Sequence, residues 1–179
     1  PFAETFTQAD SPYLPGSWTQ VYGNMGVSDN MVLSRVDALS LSTLYGVSVA
    51  DSSSQVNVRD SSTQAVVSIG SGSMAGLAAR YVCGCSGLMY AAGLERVGNS
   101  YFGRIWITNG QYCRVLASTP LTVQSGRIRF DCIGPSLTLY LNGVKIAFAH
   151  DTTLTRPGGV GLLLAGAGTT VDSYSYVSP

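Results

Sequence analysis

The sequence predicts an all-β protein folded as a sandwich or barrel, and three observations carry that prediction. From Ser54 onward, apolar and polar residues alternate in short segments at the spacing of strands. Turn signals punctuate them, among them Asn109-Gly110, Ser125-Gly126 and Pro157-Gly158-Gly159. No helical stripe is sustained. The only helix-like window, R-V-D-A-L-S-L-S-T-L-Y at residues 35–45, lacks a good cap.

The segments follow one another as Q-V-N-V, A-V-V-S-I, A-G-L-A-A-R-Y-V, L-M-Y-A-A-G-L, Y-F-G-R-I-W-I-T and Q-Y-C-R-V-L-A. G-R-I-R-F-D-C-I comes next, then a hairpin at residues 136–153, G-V-G-L-L-L-A and T-V-D-S-Y-S-Y-V. The hairpin is the clearest of them. Asn142-Gly143 suits a two-residue type I′ turn, because both residues tolerate positive φ. Unbroken pairing from that turn sets Leu141 against Val144, Leu139 against Ile146 and Leu137 against Phe148. All six then face one dry side, and Thr138, Tyr140, Lys145 and Ala147 face the other. A dry face requires a second layer to cover it.

The chain has 179 residues, 45% of them hydrophobic and 11% charged, with no net charge. That length accommodates one core, and without repeats or a linker the expectation is a single domain over residues 1–179. Lysine occurs once, at Lys145, so neither a nucleic-acid footprint nor a basic membrane-surface patch is visible. No apolar run approaches the roughly 20 residues that span a bilayer. The chain begins at Pro1 and reads as a mature product or an excised domain. Abundant Ser, Thr and Gly with little Lys or Glu points to a secreted or cell-surface setting.

The cysteines are Cys83, Cys85, Cys113 and Cys132. C-G-C is not zinc-ribbon spacing, and the single His150 does not complete a ligand set with it. Cys113 and Cys132 flank S-T-P-L-T-V-Q-S almost symmetrically, inside strands expected to run antiparallel. A disulfide there would contribute about 3 kcal/mol on the chain-entropy model; two buried free thiols are the alternative. Pairing Cys83 with Cys85 in a tight turn would be strained.

Several stretches resemble a known family. F-T-Q-A-D followed by G-S-W-T is similar to the opening of concanavalin A-like lectin/glucanase jelly-roll domains (LamG-like) of bacterial surface and secreted proteins. A-G-L-A-A-R-Y resembles their central strand, which commonly ends in arginine. Residues 126–146 resemble their back hairpin and its entry, and G-G-V-G-L-L-L-A-G and V-D-S-Y their closing strands. The resemblance implies a two-sheet antiparallel jelly-roll sandwich, with the Asn-Gly hairpin in its convex back sheet. It also implies a loop-edge calcium, for which Asp10 and Asp172 occupy the matching opening and closing segments.

Glucanases of this superfamily carry E-x-D-x-E on one strand. The glutamates here, Glu4 and Glu95, are far apart and outside that pattern. His150 has no G-x-S-x-G partner and reads as a surface residue. A sugar-binding face asks only for aromatic rings and planar polar groups. The front meander is expected over 76–82, 88–95, 102–107 and 112–117. Alternation then turns Arg80, Arg104, Trp106 and Arg114 outward, flanked by Tyr90 and Tyr112, with Trp18 in the core. The expected function is a non-catalytic, lectin-like module binding a glycan, the arginines favouring an anionic one. A spacer or assembly domain of a large surface protein is the rival reading, and a polysaccharide-active enzyme a third.

Overall fold

The computed structural model describes residues 1–36, 39–44, 57–82 and 87–179. Among these residues there is no helix, and hence none able to cross a membrane. The strands in chain order are β1 (Phe2–Glu4), β2 (Trp18–Tyr22), β3 (Met25–Ser28), β4 (Met31–Ser34) and β5 (Leu39–Leu44). They continue as β6 (Ser61–Ser68), β7 (Met74–Tyr81), β8 (Met89–Val97), β9 (Ser100–Thr108) and β10 (Cys113–Leu121). The last are β11 (Ser125–Ile133), β12 (Ser136–Leu141), β13 (Val144–His150), β14 (Gly159–Ala165) and β15 (Thr170–Val177). The helix-like window at 35–45 thus contains β5. Its alternating Leu39, Leu41 and Thr43 pair with β14, and tertiary pairing overrides an uncapped helical pattern.

Two antiparallel sheets form the sandwich. One has seven strands in the order β10-β9-β8-β7-β14-β5-β2. The other has eight, ordered β13-β12-β11-β6-β15-β4-β3, with β1 also paired to β15. Alternate side chains from each meet in one core, where Leu77, Tyr90, Ile105 and Leu162 oppose Ile128, Phe130, Leu139 and Tyr174. Trp18 is buried as expected, its ring meeting Tyr174 edge-on with centroids 4.9 Å apart.

The Asn142-Gly143 turn forms as expected, with φ of 51° and 83°. The register beyond it does not. Leu141 opposes Val144, but Leu139 opposes Ala147 and Leu137 opposes Ala149, not Ile146 and Phe148. Ile146 is the extra residue of a β-bulge, which reverses the facing of everything after it. Its carbonyl is taken by the Thr119 hydroxyl of β10, at 2.6 Å. Ala147 and Ala149 therefore face the core, while Phe148 is 52% and Val144 66% exposed. Lys145 stays in solvent.

The disulfide expectation is also corrected. Cys113 and Cys132 are free thiols, the first exposed and the second buried. Cys113 pairs with Thr108 in the seven-stranded sheet, and Cys132 with Leu137 and Ser61 in the other. The β10–β11 connection crosses between sheets rather than closing a hairpin, so the two cysteines never face each other. Cys83 and Cys85 lie outside the described residues.

Candidate functional site

The β7–β10 meander of the seven-stranded sheet matches the expected front strands, and its register decides which side chains share a face. On β9, Ile105 and Ile107 point into the core, so Phe102, Arg104 and Trp106 point away from it. Met89, Ala91, Gly93 and Glu95 of β8 share that outer face. Trp106 is nevertheless only 2% exposed. It belongs to a second apolar cluster with Leu41, Ala78, Tyr81, Met89, Ala91 and Leu163. The indole is a packed residue, not an exposed stacking platform.

Toward the other end of β9 the outer face turns polar. Arg104 pairs with Glu95, donates from Nε to the Ser118 hydroxyl at 3.0 Å, and lies over the Phe102 ring at 4.6 Å. Glu95 and Phe102 are direct cross-strand partners, which puts Arg104 on the diagonal from Glu95. Both ionic side chains keep about a quarter or less of their surface in solvent, 20% for Arg104 and 25% for Glu95. The result is a flat guanidinium held by three contacts on the outer face of the sheet, on a strand paired at both sides.

Arg80 goes elsewhere. At the end of β7, Ala79 and Arg80 together oppose Val160, between the pairs Ala78–Gly161 and Tyr81–Gly159. This bulge gives Arg80 a φ of 54°, which re-aims its side chain into the sandwich. Gly158 permits it, since a Cβ there would lie 2.6 Å from the Arg80 carbonyl carbon. The buried guanidinium donates to the carbonyls of Arg59 (2.7 Å), Leu154 (2.6 Å) and Gly134 (2.6 Å), and to Asp60 Oδ1 (3.3 Å).

Tyr90, fully buried, donates its hydroxyl to Asp151 Oδ1 at 2.7 Å and accepts the Leu154 amide at 3.0 Å. Burial, and then the Asp151 bond, push its pKa up to about 12. Arg114 opposes Ile107 rather than Trp106, so it leaves the outer face and reaches Asp151 Oδ2 at 3.0 Å. Burial works to raise the Asp151 pKa, but the hydroxyls of Tyr90 and Thr153, the Thr153 amide and Arg114 outweigh it and the net shift is downward. Tyr112 is exposed in the β9–β10 turn, beyond the Trp106 end of β9 and away from Arg104.

Of the six expected ligand residues, therefore, Arg104 and Trp106 share the outer face. Arg80, Tyr90 and Arg114 converge instead on the loop after His150, which is itself exposed. Glu95, Phe102, Ser118 and Asp151 are additions from the structure. The register of the β8–β9 hairpin, whose last pair is Val97–Ser100, is the sequence-level signal that could have joined Glu95 to Arg104.

The calcium expectation does not fit these residues. Asp10 spends both oxygens locally, accepting the Ser28 hydroxyl at 2.9 Å and the Asp29 amide at 3.0 Å. Asp172 is exposed on β15, and among the described residues no three acidic, His or Cys groups come together.

No protein-family model matches the chain, and no curated protein matches it either. Solved structures do. Carbohydrate binding module CBM66 from Bacillus subtilis aligns with a TM-score of 0.69 at 19% identity, over 89% of this chain and 96% of that one. The CBM2 module of the evolved Dit of Lactobacillus casei BL23 phage J-1 aligns at 0.62 and 11%, over 98% and 93%. A prokaryotic β-1,3-1,4-glucanase (lichenase) from a mouse hindgut metagenome aligns at 0.56 and 13%, over 99% of both chains. At such identities the likeness concerns the fold, and it is the same fold in binding modules and in a hydrolase. The chain has the concanavalin A-like jelly-roll fold.

Proposed function

We propose that this chain is a non-catalytic carbohydrate-binding module, with its glycan on the outer face of the seven-stranded sheet beside Arg104. The observation that carries the reading is the ordered group Phe102–Arg104–Glu95–Ser118, a ring and planar polar groups fixed in one partly exposed row. Sugar recognition asks for that combination, because a pyranose offers an apolar C–H face and in-plane hydroxyls. Binding modules among the structural relatives support it.

Hydrolysis is the weaker reading. Glycosidases typically use two carboxylates flanking one bond. Glu95 is the only carboxylate in the seven strands of this sheet, and Arg104 already holds it. An extracellular setting within a larger surface protein, and a ligand with acidic substituents, belong to this proposal. A glycan array carrying neutral and uronate-containing oligosaccharides tests it, with Arg104→Ala as the comparison. We expect selective signal from the wild type and a loss of about tenfold or more in the variant, on the scale of a central anchor. No selective signal, or an unchanged variant, would sink the reading in favour of a spacer domain.

A further inference from the structure

At the end of β8 remote from Glu95, the sandwich opens into a cleft of about 220 Å³ lined by Arg59, Arg80, Gly134, Pro135, Asp151, Thr152 and Thr155. A second cleft of about 210 Å³, lined by Val82, Thr153, Leu154, Thr155 and Arg156, adjoins it across Thr155. Four of the chain's nine arginines, at positions 59, 80, 114 and 156, converge on this end.

The charges there can be paired off. Asp60 Oδ1 accepts from Arg80 and from the Gly134 amide at 2.8 Å. Asp151 accepts from Tyr90 and the Thr153 amide on Oδ1, and from Arg114 on Oδ2. Each acid thus has its own arginine. Arg59 and Arg156 are exposed, and neither guanidinium has a partner among the described residues. The hydroxyls of Thr152 and Thr155 have no protein partner there either. Among the described residues, two uncompensated cations and two free hydroxyls therefore border the adjoining clefts: Arg59 and Thr152 on the first, Arg156 on the second and Thr155 on both, with the buried Arg80 clamp a fixed wall of the first.

We propose that these two adjoining clefts form a binding site for a small carboxylate, separate from the Arg104 face, in which Arg59 on one side of Thr155 and Arg156 on the other supply the charge and Thr152 and Thr155 bond the remaining polar atoms. Guanidinium pairs with carboxylate in a two-point fork, which makes that anion the matching group. Each cleft alone lies below the roughly 300 Å³ at which drug-sized sites begin, so either one holds a single acidic ring or a smaller acid.

Calorimetric titration of the whole chain with glucuronate, glucose and glycolate tests this, in the wild type and in Arg59→Gln, Arg156→Gln and Arg104→Ala. Glucuronate should bind at least tenfold tighter than glucose, and each of the first two substitutions should cost about tenfold, as for a charge-assisted bond. Neither guanidinium has a bond among the described residues, and the Arg59 carbonyl that Arg80 holds is kept in the glutamine variant, so both variants should melt with the wild type. Glycolate binding as well as glucuronate supports the site and assigns recognition to the carboxylate alone; weaker glycolate binding supports it with the ring contributing. The proposal is overturned if glucuronate binds no better than glucose, or if both glutamine variants keep wild-type affinity. It is overturned equally if only Arg104→Ala weakens glucuronate, and that last result would leave the reading of the outer face standing.

Discussion

The Tyr90 hydroxyl of β8 donates to Asp151 Oδ1 at 2.7 Å, joining the middle of the seven-stranded sheet to the loop that follows the last residue of β13. The same oxygen accepts the Leu154 amide, so one phenol holds both ends of a turn. Tyr90→Phe removes that oxygen, leaving the Leu154 amide without its acceptor and Asp151 Oδ1 without its phenol donor, though still with the Thr153 amide. We expect a loss of about 1–3 kcal/mol, the cost of leaving buried polar groups unsatisfied. Urea denaturation measures it, and a midpoint equal to wild type would refute the bond's importance.

Stability should fall at alkaline pH. Tyr90 is raised to about 12 by burial and Asp151, and Tyr22 to about 12 by burial and Tyr81. Both are near 10 when unfolded. Between about pH 10 and 12 the unfolded chain has lost these protons while the folded chain keeps them, so unfolding becomes progressively easier. Cys132, raised to about 12 chiefly by burial, adds the same sign from about pH 9. On the acid side, the lowered Asp151 contributes stability that is present above about pH 4 and lost as pH falls through its folded value. Denaturant midpoints at pH 7, 9 and 11 should decline in that order, and a flat profile would contradict the burial of these groups.

Arg80 should tolerate no replacement. Arg80→Met leaves the carbonyls of Arg59, Gly134 and Leu154 without their side-chain donor and the Asp60 carboxylate without its cation, held by the Gly134 amide alone among the described residues. Breaking a buried charged network in this way costs about 3–5 kcal/mol. Arg80→Lys should recover little, because one ammonium cannot span four acceptors set out for a planar fork. Thermal melts of the two variants side by side check this; a lysine variant as stable as wild type would argue against the geometry.

Trp106→Ala should behave as a core mutation. The indole packs with Leu41, Met89 and Leu163, and truncation leaves a cavity costing about 3–5 kcal/mol. Trp106→Phe should cost less. The denaturant midpoints decide, and an unchanged midpoint for the alanine variant would mean that the ring is not packed.

The thiols can be counted directly. Replacing Cys113 with Ser should lower by one the number of thiols that react in the native protein, because Cys113 is exposed. Replacing Cys132 with Ser should leave the native count unchanged and lower only the count after unfolding. Were the two cysteines bridged, Cys113→Ser would instead add a thiol by freeing its partner.

The features legible along the chain are local and periodic. Alternation and turn chemistry place the strands, the Asn142-Gly143 turn and the β7–β10 meander, because a strand with one dry face carries its own signature. The resemblance carried by residues such as 75–81 and 126–146 extends this to the two-sheet architecture.

Which face a given side chain occupies depends on pairing between strands distant along the chain. One extra residue reverses the facing of all that follow, and the bulges at Arg80 and Ile146 do so without an Asn-Gly or Pro to announce them. Arg80 therefore turns inward, and Phe148 outward. The separation of Cys113 from Cys132 has a related cause: the short link after Leu121 reads like a hairpin, but each strand finds a better partner in a different sheet. The arginine cluster around Asp151 arises in the same way, from residues 59 to 156, distant along the chain and joined only when the sheets close on one core.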